Sequence, residues 1–249
     1  MTTQPSPTPH SPDAATGAHA PPWQRLMALS GVAFAPFFVI GWVTSVANNP
    51  HYTAADQAWT NWAHDNQSKG RISAFAMLLA AFIFLYFIAA IRSALETAEF
   101  SVRGSAQLAR VAFAGALTGI VGTTMAFITI AAASSEGAEA NPVVSRAVTT
   151  SSTGPFLVGA MGFAAFLMAA GVLTLRSGVF SRWTGIVALI GAVCFLITFL
   201  TILNNTGNGS VFGYAFFPGL LALITWTIAT SIARYRTVGR DRLTPVAPA

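Results

Sequence analysis

The chain has 249 residues, of which 54% are hydrophobic and only 8% charged, and it carries a formal net charge of +5 with a mean hydropathy of +0.61. That balance excludes a water-soluble domain, which needs roughly a quarter of its residues charged. It is the composition of a polytopic membrane protein.

Residues 1–22, "MTTQPSPTPHSPDAATGAHAPP", hold almost no bulky apolar side chain. They cannot offset the entropy of ordering, so a disordered cytoplasmic tail is expected. The transmembrane domain is expected over 23–236, followed by a basic cytoplasmic tail at 237–249. Within the domain, apolar runs lie near residues 26–47, 72–91, 108–133, 155–175, 183–203 and 213–233. Each can cross a hydrocarbon core about 30 Å thick, which takes roughly 20 helical residues. Inside a bilayer no water satisfies backbone N–H and C=O groups, and the runs are too long and unbroken for tilted barrel strands. The expected fold is all-α, a bundle of six transmembrane helices.

Trp23 and Arg25 mark the inner interface before the first run. "SVANNP" puts Ser45 and Ala47 at the small-residue spacing of a signal-peptidase site. The preceding run exceeds the roughly 7–15 residues of a signal core, so the first helix is expected to stay uncleaved. Pro36 in this run and Pro218 in the sixth each remove a helix hydrogen bond and can kink their helices.

The stretch "HYTAADQAWTNWAHDNQSKGR", 51–71, holds two of the four histidines and the only lysine. Thr53, three residues before Asp56, reads as a helix start. At about 100° per residue, Ala55, Trp59 and Trp62 share one face, and Gln57, Asn61, His64 and Asp65 the opposite one. An amphipathic helix is expected on the outer membrane surface, tryptophans down among the headgroups, with Gly70 allowing a turn before Arg71 enters the second span. The sharper alternative gathers His51, His64, Asp56 and Asp65 around a metal ion. Their spacing opposes it, because on one helix Asp56 and Asp65 point to opposite faces. No metal ligand, catalytic residue or cofactor site is therefore assigned.

The third span carries Gly115 and Gly119 at GxxxG spacing with Gly122 a turn on, and the fourth has Gly159 and Gly162. Such residues let helix backbones approach closely, first as intramolecular packing and second as a seam for a homo-oligomer. Between them, 134–154 reads as a polar, flexible loop, and Pro155 can open the fourth span in its first turn. Cys194, the only cysteine, lies mid-span and reads as a packing residue. "NNTGNGS", 204–210, reads as a polar turn.

Charge fixes the expected orientation. With the N-terminus inside, ten of the Lys and Arg residues face the cytoplasm, and only Lys69, Arg71 and Arg146 face outward. Both termini are then cytoplasmic, and the basic tail favours anionic lipid over nucleic acid. The Arg and Ala bias reads as bacterial, which places the chain in a bacterial inner membrane.

The central parts of the spans hold no Asp, Glu, Lys, Arg or His. Proton-coupled transporters and voltage sensors rely on such groups, so these classes are disfavoured. The span threonines, Thr118, Thr123, Thr124, Thr129, Thr198, Thr201, Thr225, Thr227 and Thr230, are expected to bond to carbonyls one turn back. Nucleotide-binding, zinc-hydrolase and nucleophile-elbow motifs do not occur.

The connection "LRSGVFSRWTGIVALIGAV", 175–193, has its own logic: Gly178 can end one helix, Ser181 can cap the next, and Arg176, Arg182 and Trp183 anchor the inner interface. With "GRISAFAMLLAAFIFLYFIAAIRSALE", 70–96, it resembles a bacterial, largely actinobacterial, family of small integral membrane proteins defined only as a domain of unknown function. The resemblance covers roughly 23–236 and implies a six-helix fold. Ser181 stands where related sequences often carry proline, and no catalytic residues carry over. The expected function is a non-enzymatic interaction, scaffolding or envelope component, with membrane lipids and a periplasmic or membrane protein as partners. The alternatives are a facilitator for a neutral or lipophilic solute and an outer-face enzyme around His51 and His64.

Overall fold

The computed structural model describes residues 22–45, 50, 54–102, 107–135, 141–203 and 214–240. His51, Thr53, the 204–210 turn and most of both tails lie outside them. Eight α-helices account for the described chain: α1 Pro22–Thr44, α2 Asp56–Asp65, α3 Gln67–Ser101, α4 Leu108–Ser135, α5 Pro142–Ser151, α6 Thr153–Ser177, α7 Arg182–Phe199 and α8 Phe216–Arg240. A 3-10 turn, Leu200–Leu203, extends α7. Six helices are long and apolar enough to span a membrane, with α5 and α6 running together as one of them.

The spans close a ring in chain order: α1 packs on α3, α3 on α4, α4 on α6, α6 on α7, α7 on α8, and α8 back on α1. The first span is thus a full member of the bundle. Arg25 lies over the Tyr235 ring, with 5.9 Å from its guanidinium carbon to the centroid, which places the start of α1 beside the end of α8. We call this the terminal end. The short helices α2 and α5 lie at the opposite, cap end.

Outward faces are apolar: Phe75, Leu78, Phe82 and Leu85 of α3 and Ile186, Ile190 and Val193 of α7 are exposed. In water so continuous a belt would drive aggregation, whereas lipid chains solvate it. The inward faces meet in an aromatic pile. Phe34 stacks on Phe38 and on Phe84, both at 4.7 Å between centroids, and Phe84 meets Phe163 and Phe166, both at 6.2 Å. Phe163 lies 5.8 Å from Phe195, and Trp226 lies 5.1 Å from Phe166. Each of these side chains is fully buried. The axis of the ring is therefore filled from α1, α3, α6, α7 and α8.

Lipid is as apolar as these cores, so close fit rather than water exclusion must hold the helices together. The α4/α6 joint does this with glycine. A Cβ on Gly122 would lie 2.5 Å from the Gly159 nitrogen, one on Gly115 would lie 2.6 Å from the Phe166 nitrogen, and one on Gly162 would strike the Gly119 nitrogen. The glycine motif thus serves packing within the chain.

Several local expectations change. Gly70 makes no turn: it lies inside α3, where a Cβ would come 2.7 Å from Ser134 Oγ of α4. The break falls at Asn66, whose side-chain amide donates to the Trp62 carbonyl at 2.8 Å. Pro218 lies in the first turn of α8, where a helix N–H has no partner to lose, so it has no hydrogen bond to remove. Pro36 lies within α1 with its ring exposed, away from the axis. Gly178 does end α6, at φ 69°, while Ser181 holds the N-cap position of α7 without a side-chain bond. The Thr184 hydroxyl donates to the Ser181 carbonyl instead, at 2.7 Å. The second span also overruns its apolar run. Helix α3 continues to Ser101, carried by good helix formers and an Arg92–Glu96 pair at 2.7 Å.

Candidate functional site

The cap end holds both described short helices and the stretch that the sequence singles out. Helix α2 forms where its facial split predicted, with Gln57, Asn61, His64 and Asp65 exposed. Its tryptophans turn onto protein. Trp59 is 2% exposed and Trp62 8%; their rings meet edge to face at 6.3 Å, and Trp62 packs with Ala63 against Ile130 of α4. The partner that covers them is protein, because α2 packs on α5 as well as on α4.

Helix α5 was not legible as such, since 134–154 reads as a flexible polar loop. Asn141 caps it by accepting from the Val143 N–H at 3.0 Å, with Pro142 at the first helical position. That Asn-Pro pair is a helix-start signal. Its amphipathicity is reversed for a soluble helix: Ser145 and Thr149 are buried, Val143 and Val144 exposed. The Thr149 hydroxyl donates to the Ser145 carbonyl at 2.8 Å, which makes its burial tolerable. Asp56, at the start of α2, accepts from Arg146 of α5 at 3.2 Å. The helix itself starts from Ala55 at the N-cap, with no side-chain cap.

Of the four residues of the metal alternative, the three described ones do not converge. His64 Nδ1 lies 3.5 Å from Asp65 Oδ1 with both side chains mostly exposed, while Asp56, a full helix length away, is engaged by Arg146. His51 lies outside the described residues. Among the described residues no three His, Cys, Asp or Glu side chains converge.

Beneath the cap lies a cavity of about 210 Å³, open on one side. Its walls come from five spans, and five rings line it: Trp42 of α1, Phe127 of α4, Phe156 of α6, and Phe216 and Phe217 of α8. Trp42 lies 5.0 Å from Phe127 and 4.8 Å from Phe216, and Phe156 lies 4.6 Å from Phe216. Toward the terminal end the cavity is closed by Phe38, edge-on to Trp42 at 6.5 Å, and by Phe195, 5.3 Å from Phe216. Among the described residues no charged side chain lines it.

The threonines do not converge on a central path. Of the described threonines, Thr153, Thr198 and Thr201 reach this cavity. Thr118 and Thr225 are exposed on the outside of the bundle. Thr129, Thr198 and Thr230 donate one turn back, to Met125, Cys194 and Trp226 carbonyls at 2.8, 3.0 and 2.7 Å. Thr124 and Thr227 are buried among helices with no acceptor among the described residues. In comparisons with family models, curated proteins and solved structures, nothing matches this chain.

Proposed function

We propose that the protein is a multi-pass component of a bacterial cytoplasmic membrane that works by association, with lipid and with other membrane or periplasmic chains, rather than by catalysis or solute passage. The filled axis carries this reading. A facilitator needs a hydrated route, and here Phe34, Phe38, Phe84, Phe163 and Phe195 interlock where that route would run. The surface it offers to partners is the exposed polar row of α2, Gln57, Asn61 and His64, on a cap held rigid by two buried tryptophans. The charge asymmetry supports cytoplasmic termini, which leaves the cap on the outer face. The resemblance to the actinobacterial family of unknown function fits this reading and supplies no activity.

Two measurements test it. Proteoliposomes under a glycerol gradient should shrink and reswell at the rate of protein-free vesicles; a protein-dependent acceleration abolished by Phe163→Trp would sink the reading. In cells, photocrosslinkers at Gln57 and His64 should give discrete adducts, whereas one at lipid-facing Phe75 should give none. Equal diffuse labelling at all three positions would remove the association surface.

A further inference from the structure

The terminal end carries charge that its own carboxylates do not neutralise. Every span brings an arginine there: Arg25 of α1, Arg92 of α3, Arg110 of α4, Arg176 of α6, Arg182 of α7, and Arg234 and Arg236 of α8. Contacts tie these helix ends together, since Arg92 lies over the Phe113 ring of α4 at 5.1 Å and Arg234 donates to the Ser93 hydroxyl of α3 at 3.4 Å. Among the described residues the carboxylates at this end are Glu96, paired with Arg92 at 2.7 Å, and Glu99, which accepts from the Ala109 N–H at 3.4 Å. The cap end is the opposite case, where Arg146 has Asp56.

Two of these arginines meet the α1/α8 seam. Arg25 lies over the Tyr235 ring, and a guanidinium held over a ring keeps its terminal N–H groups for an anion. Arg236 follows Tyr235 and is exposed. Neither has an ion pair or a side-chain hydrogen bond among the described residues. Toward the middle of the membrane the same faces turn apolar: Leu29 and Val32 follow Arg25 at i+4 and i+7 on α1, and Ile232 precedes Tyr235 and Arg236 by three and four positions on α8. All three are exposed. A free phosphate would use the arginines alone, whereas an anion with acyl chains attached uses both surfaces.

We propose that the α1/α8 seam binds one anionic phospholipid, its phosphodiester held by Arg25 and Arg236 and its acyl chains lying along Leu29, Val32 and Ile232. Guanidinium suits this role because its planar fork matches phosphate oxygens. A zwitterionic headgroup offers the same phosphate but brings an ammonium to an end that is already positive, so it binds less tightly. The site deepens the lipid half of the association reading and rests on it. The two fail separately: protein-dependent glycerol flux would overturn that reading without changing lipid occupancy here, and loss of this site would leave the α2 surface untouched.

Trace phosphatidylglycerol with a photoreactive acyl chain, in phosphatidylcholine nanodiscs holding the full chain, should label α1 between Leu26 and Val32 and α8 around Ile232 above all other spans. A phosphatidylcholine analogue should label the lipid faces alike. Arg25→Gln and Arg236→Gln should each lower the phosphatidylglycerol labelling of α1 and α8 about fivefold. Arg176→Gln makes the same charge change on α6, across the ring, and should leave that labelling within about twofold because salt screens distant exposed charges. Glycerol 3-phosphate in solution should not compete. Equal seam labelling by the two analogues, an equal loss from Arg176→Gln, or displacement by glycerol 3-phosphate overturns the proposal, the last by making the seam a soluble-phosphate site. If Arg25→Gln does not fold, Arg236→Gln decides alone, since its side chain is exposed.

Discussion

The α4/α6 seam and the α2/α5 cap solve the same problem, holding two helices together, by opposite means. The seam removes side chains: Gly115, Gly119, Gly122, Gly159 and Gly162 bring two backbones into direct contact. The cap spends large ones, burying Trp59 and Trp62 against short helices and adding an Arg146–Asp56 pair at 3.2 Å. The difference follows the solvent. Between lipid-embedded helices, apolar side chains gain nothing by leaving lipid, so contact area and fit decide. At the water boundary, burying an indole removes apolar surface from water and stabilises at roughly 25 cal/mol per Å².

That contrast can be broken most sharply at the seam. Gly162→Leu places its side chain into the Gly119 backbone, which no rotamer relieves, and should cost more than about 4 kcal/mol, read as loss of the folded monomer in detergent. Gly154→Ala, in the same helix with nothing within 4 Å of a new Cβ, should be neutral or stabilising by up to about 1 kcal/mol. Equal damage from both would mean that close backbone approach is not what glycine provides. At the cap, Trp59→Ala should cost about 3 kcal/mol locally. Hydrogen exchange should accelerate in α2 and α5 while the spans keep their protection; uniform acceleration would show that cap and bundle unfold together.

Smaller effects sharpen the picture. Asp56→Asn removes a pair whose side chains are 39% and 44% exposed, so its cost should stay below about 1 kcal/mol and shrink further in high salt. His64→Ala should leave the melting curve within about 0.5 kcal/mol, in zinc or in chelator. A zinc-dependent difference would reinstate the metal alternative that the distance between Asp56 and Asp65 argues against.

Much of the scaffold was legible because bilayer physics writes itself along the chain. Apolar runs of span length gave the six membrane helices, and Gly178 marked the end of α6 before its φ of 69° was seen. The polar and apolar faces of α2 were likewise readable from a 3.6-residue period. What covers the apolar face was not, since period cannot distinguish lipid from a neighbouring helix. Helix α5 was hidden by its own composition: a segment whose serine and threonine are buried while its valines are exposed looks like a loop to any rule built on soluble proteins. Its Asn-Pro start was the one signal available.

The sequence by itself determined the membrane class, the helical secondary structure and the glycine seam, because each follows from local chemistry: backbone groups that lipid cannot satisfy, and small side chains repeating every fourth residue. Only the tertiary structure decided that the spans close in chain order around a phenylalanine pile, that α2 packs on α4 and α5 with its tryptophans buried, and that Trp42, Phe127, Phe156 and Phe216 meet around one cavity. Those rings come from four different spans and are separated by up to 174 positions, from Trp42 to Phe216. Nothing local to any one of them specifies the other three.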